Sequence, residues 1–373
     1  MKIALVHDYI KEYGGAERVL EALSEIYPEA PIYTAFYSPS FLGPHKERFK
    51  DFNIKTTWFQ NVPFKNKLLS YFRLIAPVVF KRIDLSDYDV VITSATGTYT
   101  SPNFVKIGSK TKLICYCHTP PRYLYGYSTA APWKSVWWRK ALYVFGQIPI
   151  HFLRLSDFTA AQKPDFFIAN SEEVSKRINK FYRRDSTVIY PPLETKSLIL
   201  GIKPEQKREY YLAGGRLARP KHIELAILLC SKLKLPLKVF GREFSGYGQE
   251  LHDLAGPTVE FLGEVSDEKK WELYKGTKAF FFPAEDEDFG IMPVEAMAVG
   301  APVIAYKSGG VKETVIEGKT GIFFDQLTVE SLTEALKKFE KMNIKPEDCI
   351  KQAQKFSKER FKTEIKEFVE KHA

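Results

Sequence analysis

Two glutamates eight residues apart, Glu287 and Glu295, are the residues of this sequence best suited to bind a ligand rich in hydroxyl groups. The apolar run Ala279–Pro283 before them predicts a short buried strand, and Pro293 suits the first turn of a helix. Glu287 is therefore expected on the loop that leaves a strand, and Glu295 about one turn inside the next helix. Because a carboxylate only accepts hydrogen bonds, each glutamate can hold a pair of hydroxyl groups.

The loop between the two glutamates is also a candidate anion site. Ligands bind beyond the carboxyl ends of strands in open parallel sheets, and backbone amides at a helix N-terminus attract phosphate. Phe289, Gly290 and Ile291 form this loop and the start of the helix. A further turn at Ser308–Glu313 contains two glycines that would let the backbone approach a ligand closely. On spacing alone, a solvated acidic loop at residues 285–288 is an equally good interpretation.

A glycine turn with two cations, A-G-G-R-L-A-R-P-K at Ala213–Lys221, is the second candidate. Tyr210–Leu212 predicts a strand before it, and Ile223–Leu233 predicts an amphipathic helix after it. Arg216 offers a planar fork of donors and Lys221 a compact charge, a combination that suits a pyrophosphate. In isolation the segment also fits a basic surface turn.

The segment E-D-F-G-I-M-P-V-E-A-M-A-V-G-A-P-V, Glu287–Val303, resembles the E-x7-E signature of retaining glycosyltransferases of the GT-B fold, family 4 in particular. The usual pattern of that family is E-G-F-G-L-P-x-x-E-A-M-A-x-G-x-P-V. This chain departs from it at Asp288, where glycine is common, and at Ile291-Met292, which replaces Leu-Pro. Neither departure removes a functional group of the signature.

The resemblance implies a role for each candidate residue. Glu295 would hold the ribose of a nucleotide sugar, Glu287 its hexose, and Arg216 with Lys221 its diphosphate, which other transferases neutralise with a metal ion. The nucleobase would lie near residues 240–242 and 263–265. The expected donor-binding residues are Gly14, Gly15, Arg216, Lys221, Phe240, Gly241, Arg242, Val265, Glu287, Phe289, Gly290, Ile291 and Glu295.

Two segments of the first half are similar to the same family. Gly14-Gly15 follows the first predicted strand, and in the family such a pair presents amides to the diphosphate. The segment C-Y-C-H-T-P-P-R places His118 at the carboxyl end of the strand Lys112–Cys117. A histidine there is by itself more often structural. The resemblance implies that His118 faces the transferred sugar and that Arg122 lies near the acceptor, so His118, Glu287, Arg216 and Lys221 are the expected catalytic residues.

Two series of alternating strands and helices are needed to position these motifs, which predicts an α/β fold. Strands are expected near Ile3–His7, Ile32–Ala35, Val90–Ser94, Leu113–Cys117, Phe166–Asn170, Val188–Tyr190, Tyr210–Ala213, Leu237–Phe240, Val259–Leu262, Ala279–Pro283, Val303–Tyr306 and Gly321–Phe324. The polar stretch after Pro191-Pro192 is typical of a linker. By resemblance to GT-B enzymes, we expect two Rossmann-like doubly wound domains that face a central cleft. The expected limits are an acceptor-binding domain at 1–190, a linker at 191–207, a nucleotide-sugar-binding domain at 208–350, and a helix at 351–373 that crosses back to the first domain.

Length and composition agree with this plan. The 373 residues suit two domains of roughly 180 residues each. The four cysteines form no disulfide-like pattern, which indicates a reducing compartment, and Cys115 and Cys117 on one strand predict a buried apolar pair. Met1-Lys2 leads directly into a strand, so no signal peptide is expected, and no apolar run is long enough for a spanning helix.

The net charge of +10 is concentrated in the first half. Residues 52–83 and 90–156 contain no acidic residue and are rich in Lys, Arg and aromatic residues. The aromatic residues include Trp58, Phe64, Tyr71, Phe72, Trp133, Trp137, Trp138, Tyr143 and Phe145. This pattern suits an anionic membrane surface, whereas a basic face over buried aromatics is the alternative. We therefore hypothesise a cytoplasmic protein, peripheral on the inner face of the cell membrane, with no nucleic-acid partner because no recognition module is present.

The letters D-E-D at Asp286–Asp288 form a D-x-D that elsewhere holds a metal ion, but their middle residue is the first glutamate of the signature. Since Arg216 and Lys221 supply cations, no metal and no other cofactor is expected to be required. The resemblance thus implies a retaining glycosyltransferase that moves a hexose to a glycan or lipid-linked acceptor in cell-surface polysaccharide or glycolipid synthesis. The segments H-D-Y-I-K-E-Y-G-G-A-E-R and C-Y-C-H-T-P-P-R resemble the mannosyltransferase branch, which implies GDP-mannose as first donor and a UDP-sugar as second. A GT-B sugar-nucleotide epimerase and a non-catalytic sugar-binding protein are the alternatives.

Overall fold

A computed structural model describes residues 1–66, 69–96, 101–128, 137–194, 207–244 and 246–373. The chain forms two compact units. The first contains the described residues up to Pro192, apart from Ser128, together with Glu359–Ala373. The second contains the described residues from Leu193 to Lys358, with Ser128. The expected linker at 191–207 falls mostly outside the described residues.

The first unit is built around a parallel sheet of seven strands. Its order is β3-β2-β1-β5-β7-β8-β9, and a short parallel pair, β4 and β6, lies apart from it. The strands are β1 Ile3–His7, β2 Ile32–Thr34, β3 Ile54–Thr56, β4 Asp84–Leu85, β5 Val90–Ala95, β6 Lys106–Ile107, β7 Lys112–Cys117, β8 Phe166–Ala169 and β9 Thr187–Val188. The helices are α1 Gly15–Ile26, α2 Leu69–Lys81, α3 Trp137–Ala161 and α4 Glu172–Tyr182.

The second unit has a parallel sheet of six strands in the order β12-β11-β10-β13-β14-β15. The strands are β10 Tyr210–Gly214, β11 Leu237–Phe240, β12 Val259–Phe261, β13 Thr277–Phe282, β14 Val303–Tyr306 and β15 Gly321–Phe324. The helices are α5 Ile223–Leu233, α6 Tyr247–Leu254, α7 Asp267–Gly276, α8 Ile291–Ala298, α9 Val311–Thr314, α10 Val329–Phe339 and α11 Pro346–Gln354. A last helix, α12 at Lys358–His372, follows.

The central strands are apolar because helices cover both faces of a parallel sheet. All five residues of β1 are buried, and β13 reads T-K-A-F-F-F with every residue but Lys278 buried. The predicted strands are therefore found close to their expected limits. β3 was not predicted, because I-K-T at the sheet edge offers a single apolar side chain that is half-buried. Cys115 and Cys117 are buried free thiols, as expected.

The C-terminal segment divides between the two units. α11 packs against α8 in the second unit, whereas α12 belongs to the first. Phe361, Ile365, Phe368 and Val369 lie at i, i+4, i+7 and i+8 of α12 and enter the core that contains β1 and β5. This apolar stripe is the spacing of an amphipathic helix, so burial of one face accounts for the position of α12.

Candidate functional site

Glu287 and Lys221 are in direct contact at the carboxyl edge of the second sheet. Glu287 lies on the loop after β13, and Lys221 ends a short 3₁₀ turn at Arg219–Lys221 after β10. The Lys221 Nζ donates to Glu287 Oε2 over 2.5 Å, and both side chains are largely buried. The Glu285 amide donates to the Pro220 carbonyl over 2.9 Å, which joins the two loops. Two candidates that are 66 residues apart in the sequence are thus one ion pair.

The glycines of the loop after β14 pack against the backbone of the Glu287 loop. A Cβ on Gly309, whose φ is +64°, would lie 2.1 Å from the Glu287 carbonyl oxygen. The Gly310 amide donates to that same oxygen over 2.7 Å, and the Asp286 amide donates to Ser308 Oγ over 3.2 Å. These glycines permit a close approach, but the group they approach is the backbone that carries Glu287.

Glu295 lies one turn into α8 and is 1% exposed. Its Oε1 accepts from Lys270 Nζ over 3.0 Å, and its Oε2 accepts from the Tyr274 hydroxyl over 3.2 Å. Both partners come from α7. Gly290 directly precedes α8 and has a φ of +89°, a conformation that favours glycine. Phe289 is buried against Phe356, with ring centroids 5.3 Å apart.

The loops after β10, β11 and β12 form one hydrogen-bonded layer beside Arg216. The Gly215 amide donates to the Phe240 carbonyl over 3.0 Å, and the Gly241 amide donates to the Gly263 carbonyl over 2.7 Å. A Cβ on Gly241 would lie 1.7 Å from the Gly215 carbonyl oxygen, so no larger residue fits between these loops. Arg216 follows directly, with its guanidinium carbon 5.6 Å from the centre of the Phe244 ring.

Two contacts extend this layer. The Leu217 amide donates to the Arg242 carbonyl over 2.9 Å. A Cβ on Gly215 would lie 2.7 Å from the sulfur of Met292 on α8, so the Arg216 loop touches the helix that carries Glu295. The Arg242 side chain is exposed and Val265 is half-buried. The expected nucleobase residues therefore lie at neighbouring strand ends.

His118 follows β7 in the first unit and is joined to two other buried side chains. His118 Nε2 and Ser94 Oγ are 3.0 Å apart, and Ser94 Oγ and His7 Nδ1 are also 3.0 Å apart. Burial, followed by the influence of His7, lowers the pKa of His118 to about 3. The His118 ring is therefore neutral near pH 7 and has one nitrogen that accepts a hydrogen bond.

The two glycines after β1 differ in their surroundings. The Gly14 amide donates to Glu17 Oε2 over 2.8 Å, so this amide already has an acceptor within the loop. Gly15 is the first residue of α1, and a Cβ added there would meet nothing within 4 Å. Arg122 is half-buried, and its carbonyl accepts from the amides of Tyr125 and Tyr127, both over 3.2 Å.

The sequence analysis did not anticipate Ser94, Lys270 and Tyr274, which bond His118 or Glu295, or His7, which bonds Ser94. Each is distant in sequence from its partner, for example 87 residues between His7 and Ser94. A signal existed for His7, because it is a polar residue at the carboxyl end of the apolar strand β1, where functional side chains collect. For Lys270 the sequence offers no signal, since it lies in the charged run D-E-K-K.

Two glutamates of the acidic run at residues 285–288 lie beside basic side chains. His222 Nε2 lies 3.7 Å from Glu285 Oε2, beside the Lys221–Glu287 pair. Within the described residues, no cluster of three or more His, Cys, Asp and Glu side chains could hold a metal ion.

The basic half of the chain has an apolar surface on α2 and α3, which pack against each other. Trp58 and Phe64 are exposed, whereas Phe72 is buried in the core. Trp133 and the side chains of Tyr71, Trp137, Trp138, Tyr143 and Phe145 lie outside the part of the molecule that is described. Among the described helices, none is long and apolar enough to cross a membrane.

Comparisons with known proteins agree with this arrangement. The family profile Glycosyltransferase Family 4 matches residues 13–197, and Glycosyl transferases group 1 matches residues 199–356. The alpha-1,3/1,6-mannosyltransferase ALG2 of Mus musculus is 25% identical over 96% of this chain and 93% of its own length. A GDP-mannose-dependent alpha-mannosyltransferase of Mycolicibacterium smegmatis is 34% identical over 30% of this chain and 29% of its own.

Solved structures resemble the whole chain. HepE of Anabaena, in complex with UDP and glucose, gives a TM-score of 0.70 at 19% identity and covers 99% of both chains. Sucrose-phosphate synthase from Thermosynechococcus elongatus gives 0.70 at 16% identity, over 100% of this chain and 99% of its own. These likenesses confirm the predicted GT-B fold of two Rossmann-like domains.

Proposed function

Since this chain belongs to the family 4 glycosyltransferases, we propose that it transfers mannose from GDP-mannose to a glycan or lipid-linked acceptor, with retention of configuration. The proposal rests on the edge of the second sheet, where the loops of Arg216 and Lys221 meet the Glu287 loop and the helix that carries Glu295. Mannose is favoured because relatives named as mannosyltransferases align with 96% and 85% of this chain.

We assign the donor diphosphate to Arg216 and Lys221. When the bond between the anomeric carbon and the diphosphate oxygen breaks, its electron pair passes to the diphosphate, and preorganised cations stabilise that charge. The acceptor oxygen bonds to the same face of the sugar and gives its proton to the departing diphosphate. The ion pair of Lys221 with Glu287 supports a linked role. A diphosphate that attracts Lys221 Nζ would release the Glu287 carboxylate for the hydroxyl groups of the sugar.

The remaining roles follow from position. Glu295, held by Lys270 and Tyr274, is assigned to the ribose, and the strand ends at residues 240–242 and 263–265 to the base. In the first unit, His118 is assigned to the transferred sugar and Arg122 to the acceptor. The Gly14 amide is bonded to Glu17. We therefore assign the amide contact between this loop and the diphosphate to Gly15, at the start of α1.

Substitution of the two cations tests the site. Arg216→Ala and Lys221→Ala should each lower kcat by about 10²- to 10³-fold, the usual effect of removing one donor to a developing negative charge. Arg219→Ala is the matched control, because this exposed neighbour pairs with Glu250 at the surface. It should keep nearly wild-type turnover. Near-normal rates for Arg216→Ala and Lys221→Ala would refute the assigned roles.

The donor and the absence of a metal requirement are tested with the wild-type protein. A thermal-shift screen of GDP-, UDP- and ADP-sugars should give its largest stabilisation with GDP-mannose. A response to UDP-glucose without one to GDP-mannose would overturn the choice of donor. Turnover should persist in EDTA, since Arg216 and Lys221 provide the positive charge. Loss of turnover in EDTA with recovery in Mn²⁺ would contradict this.

We further propose that the α2–α3 surface, defined by Leu74, Ile75, Val78, Phe152, Leu155 and Phe158, binds an anionic lipid membrane on the cytoplasmic side. These six apolar side chains are exposed on adjacent helices. Lys81 ends α2 and Lys163 follows the end of α3, and their Nζ atoms lie 5.1 and 5.3 Å from the centre of the same Phe104 ring. Exposed apolar groups beside paired cations complement a lipid surface with anionic headgroups.

Vesicle flotation tests the membrane proposal. The wild-type protein should float with phosphatidylglycerol vesicles at low salt and not with phosphatidylcholine vesicles. The double variant Leu74→Glu/Val78→Glu should weaken binding more than about tenfold, because each buried apolar side chain contributes about 1.5–3 kcal/mol. Leu233→Glu, which changes an exposed leucine of the second unit, is the control and should bind normally. Equal binding of both variants would contradict the proposed surface.

A further inference from the structure

His7, Ser94 and His118 come from three neighbouring strands and form one buried chain of hydrogen bonds. β1, β5 and β7 are adjacent and parallel, with His7 in register with Ser94. The His118 amide donates to the Ala95 carbonyl over 2.9 Å, which fixes the start of its loop beside β5. His7 and Ser94 are at most 1% exposed, and His118 is 7% exposed. Water therefore has little access to these groups, and each proton in the chain needs a partner within it.

The serine hydroxyl restricts the protonation of the two rings. A hydroxyl has a single proton, so Ser94 can donate to one imidazole nitrogen and must accept from the other. Two arrangements of the neutral chain are possible. In the first, His7 Nδ1–H donates to Ser94, which donates to His118 Nε2. In the second, His118 Nε2–H donates to Ser94, which donates to His7 Nδ1.

Glu17 distinguishes the two arrangements. Its Oε1 lies 3.7 Å from His7 Nε2, with side-chain exposures of 7% for Glu17 and 0% for His7. In the first arrangement the lone pair of Nε2 would face a buried carboxylate, which is repulsive. In the second arrangement Nε2 carries the proton, and the carboxylate attracts it. Since the Gly14 amide holds the other oxygen of Glu17, the carboxylate is fixed in this position.

We propose that Glu17, His7 and Ser94 are positioning residues that hold His118 as the neutral tautomer protonated at Nε2. The Nδ1 of His118 then carries a lone pair and accepts a hydrogen bond from a hydroxyl of the transferred sugar. The chain also links the Gly14–Gly15 loop to His118, because Glu17 contacts both Gly14 and His7. The inference rests on the assignment of His118 to the sugar under the proposed function.

Nitrogen NMR reads the tautomer directly. The protein has seven histidines, so a ¹⁵N-histidine spectrum of the full chain is sparse, and His118→Gln identifies the His118 signals by their loss. The expected spectrum shows a protonated Nε2 and an unprotonated Nδ1 for His118 at pH 7. A protonated Nδ1 would overturn the inference, whatever the activity of the protein. Ser94→Ala should convert the His118 signals to a mixture of both tautomers.

Kinetics separate the positioning role from a structural one. Ser94→Ala should lower kcat/KM about tenfold, the value of one hydrogen bond, and Ser94→Thr should restore most of it. Ser94→Ala added to His118→Ala should cause no further loss of kcat/KM, because Ser94 acts through His118. Thr93→Val is the matched control: it removes a buried hydroxyl from the same strand, but this hydroxyl bonds Asn103 and not His118. Its effect should be the same with and without His118.

The outcomes distinguish the role of His118 from the positioning role of Ser94. Normal activity of His118→Ala would contradict the assignment of His118 under the proposed function. A large loss for His118→Ala with none for Ser94→Ala would leave that assignment intact and overturn the positioning role. Additive losses for Ser94→Ala and His118→Ala would overturn the positioning role too.

Discussion

Replacement of Lys270 by methionine is expected to destabilise this glycosyltransferase far more than the same change at Lys269. The two lysines are neighbours on α7. Lys269 pairs with Glu272, and Lys270 pairs with Glu295 and with Asp267, each with an N–O distance of 3.0 Å. Lys270 and its partner Glu295 are 12% and 2% exposed, whereas Lys269 and its partner Glu272 are 56% and 67% exposed. The two pairs differ in burial and not in length.

Burial sets the expected magnitudes. Two unit charges 3.0 Å apart attract by about 1.4 kcal/mol at the dielectric constant of water and by about 5.5 kcal/mol at an effective value of 20. Removal of Lys270 leaves Glu295 buried without its cation, which typically costs about 3–5 kcal/mol. Removal of Lys269 leaves a solvated carboxylate, and the expected cost is below about 1 kcal/mol.

Urea unfolding of the full chain measures both variants. Lys270→Met should lower the free energy of unfolding by about 3–5 kcal/mol and Lys269→Met by less than about 1 kcal/mol. Glu295→Gln in the Lys270→Met background should recover most of the loss, because a neutral amide needs no counter-charge. Losses for the two lysine variants that agree within about 0.5 kcal/mol would contradict the role given to burial, as would a double variant that is less stable than Lys270→Met.

Two further predictions concern the Glu287 loop and Asp8. Gly309→Ala should reduce turnover at least about tenfold, because the added Cβ would lie 2.1 Å from the Glu287 carbonyl oxygen. Gly318→Ala is the control and should retain wild-type turnover, because Gly318 has a similar φ and a Cβ there would lie 3.9 Å from its nearest neighbour. Equal effects in a turnover assay would contradict this. Burial raises the pKa of Asp8 from 3.8 to about 6, so ionisation of Asp8 costs the folded state up to about 3 kcal/mol as pH rises from about 4 to 6. Asp8→Asn lacks this ionisation, so its free energy of unfolding minus that of wild type, measured in urea, should increase over this pH range. A difference that stays constant with pH would contradict this prediction.

The sequence alone determined the α/β fold and the general position of the candidate site. Parallel strands covered on both faces must be continuously apolar, so β1, β13 and β14 were visible as runs of Val, Ile, Ala and Phe. The site motifs were visible for a related reason. Each lies after an apolar strand, and several of the glycines there are required by positive φ angles or close contacts, as at Gly215 and Gly241.

Which side chains meet was decided only by the tertiary structure. The order β1-β5-β7 makes His7, Ser94 and His118 neighbours, and no local pattern in the sequence encodes that order. Phe72 shows the same limit, because its basic and aromatic surroundings suggested a surface residue while packing buries it.

Ion pairs follow the same rule. Lys270 belongs to a run of charged residues that suggests a solvated helix, and it is the neighbouring helix α8 that buries Lys270 against Glu295. Hydrophobic periodicity specifies elements and their faces, whereas contacts between elements depend on chain order and packing in space. The sequence therefore indicated the chemistry of this protein, whereas the fold determined which side chains bond and neutralise the site residues, such as Ser94 at His118 and Lys270 at Glu295.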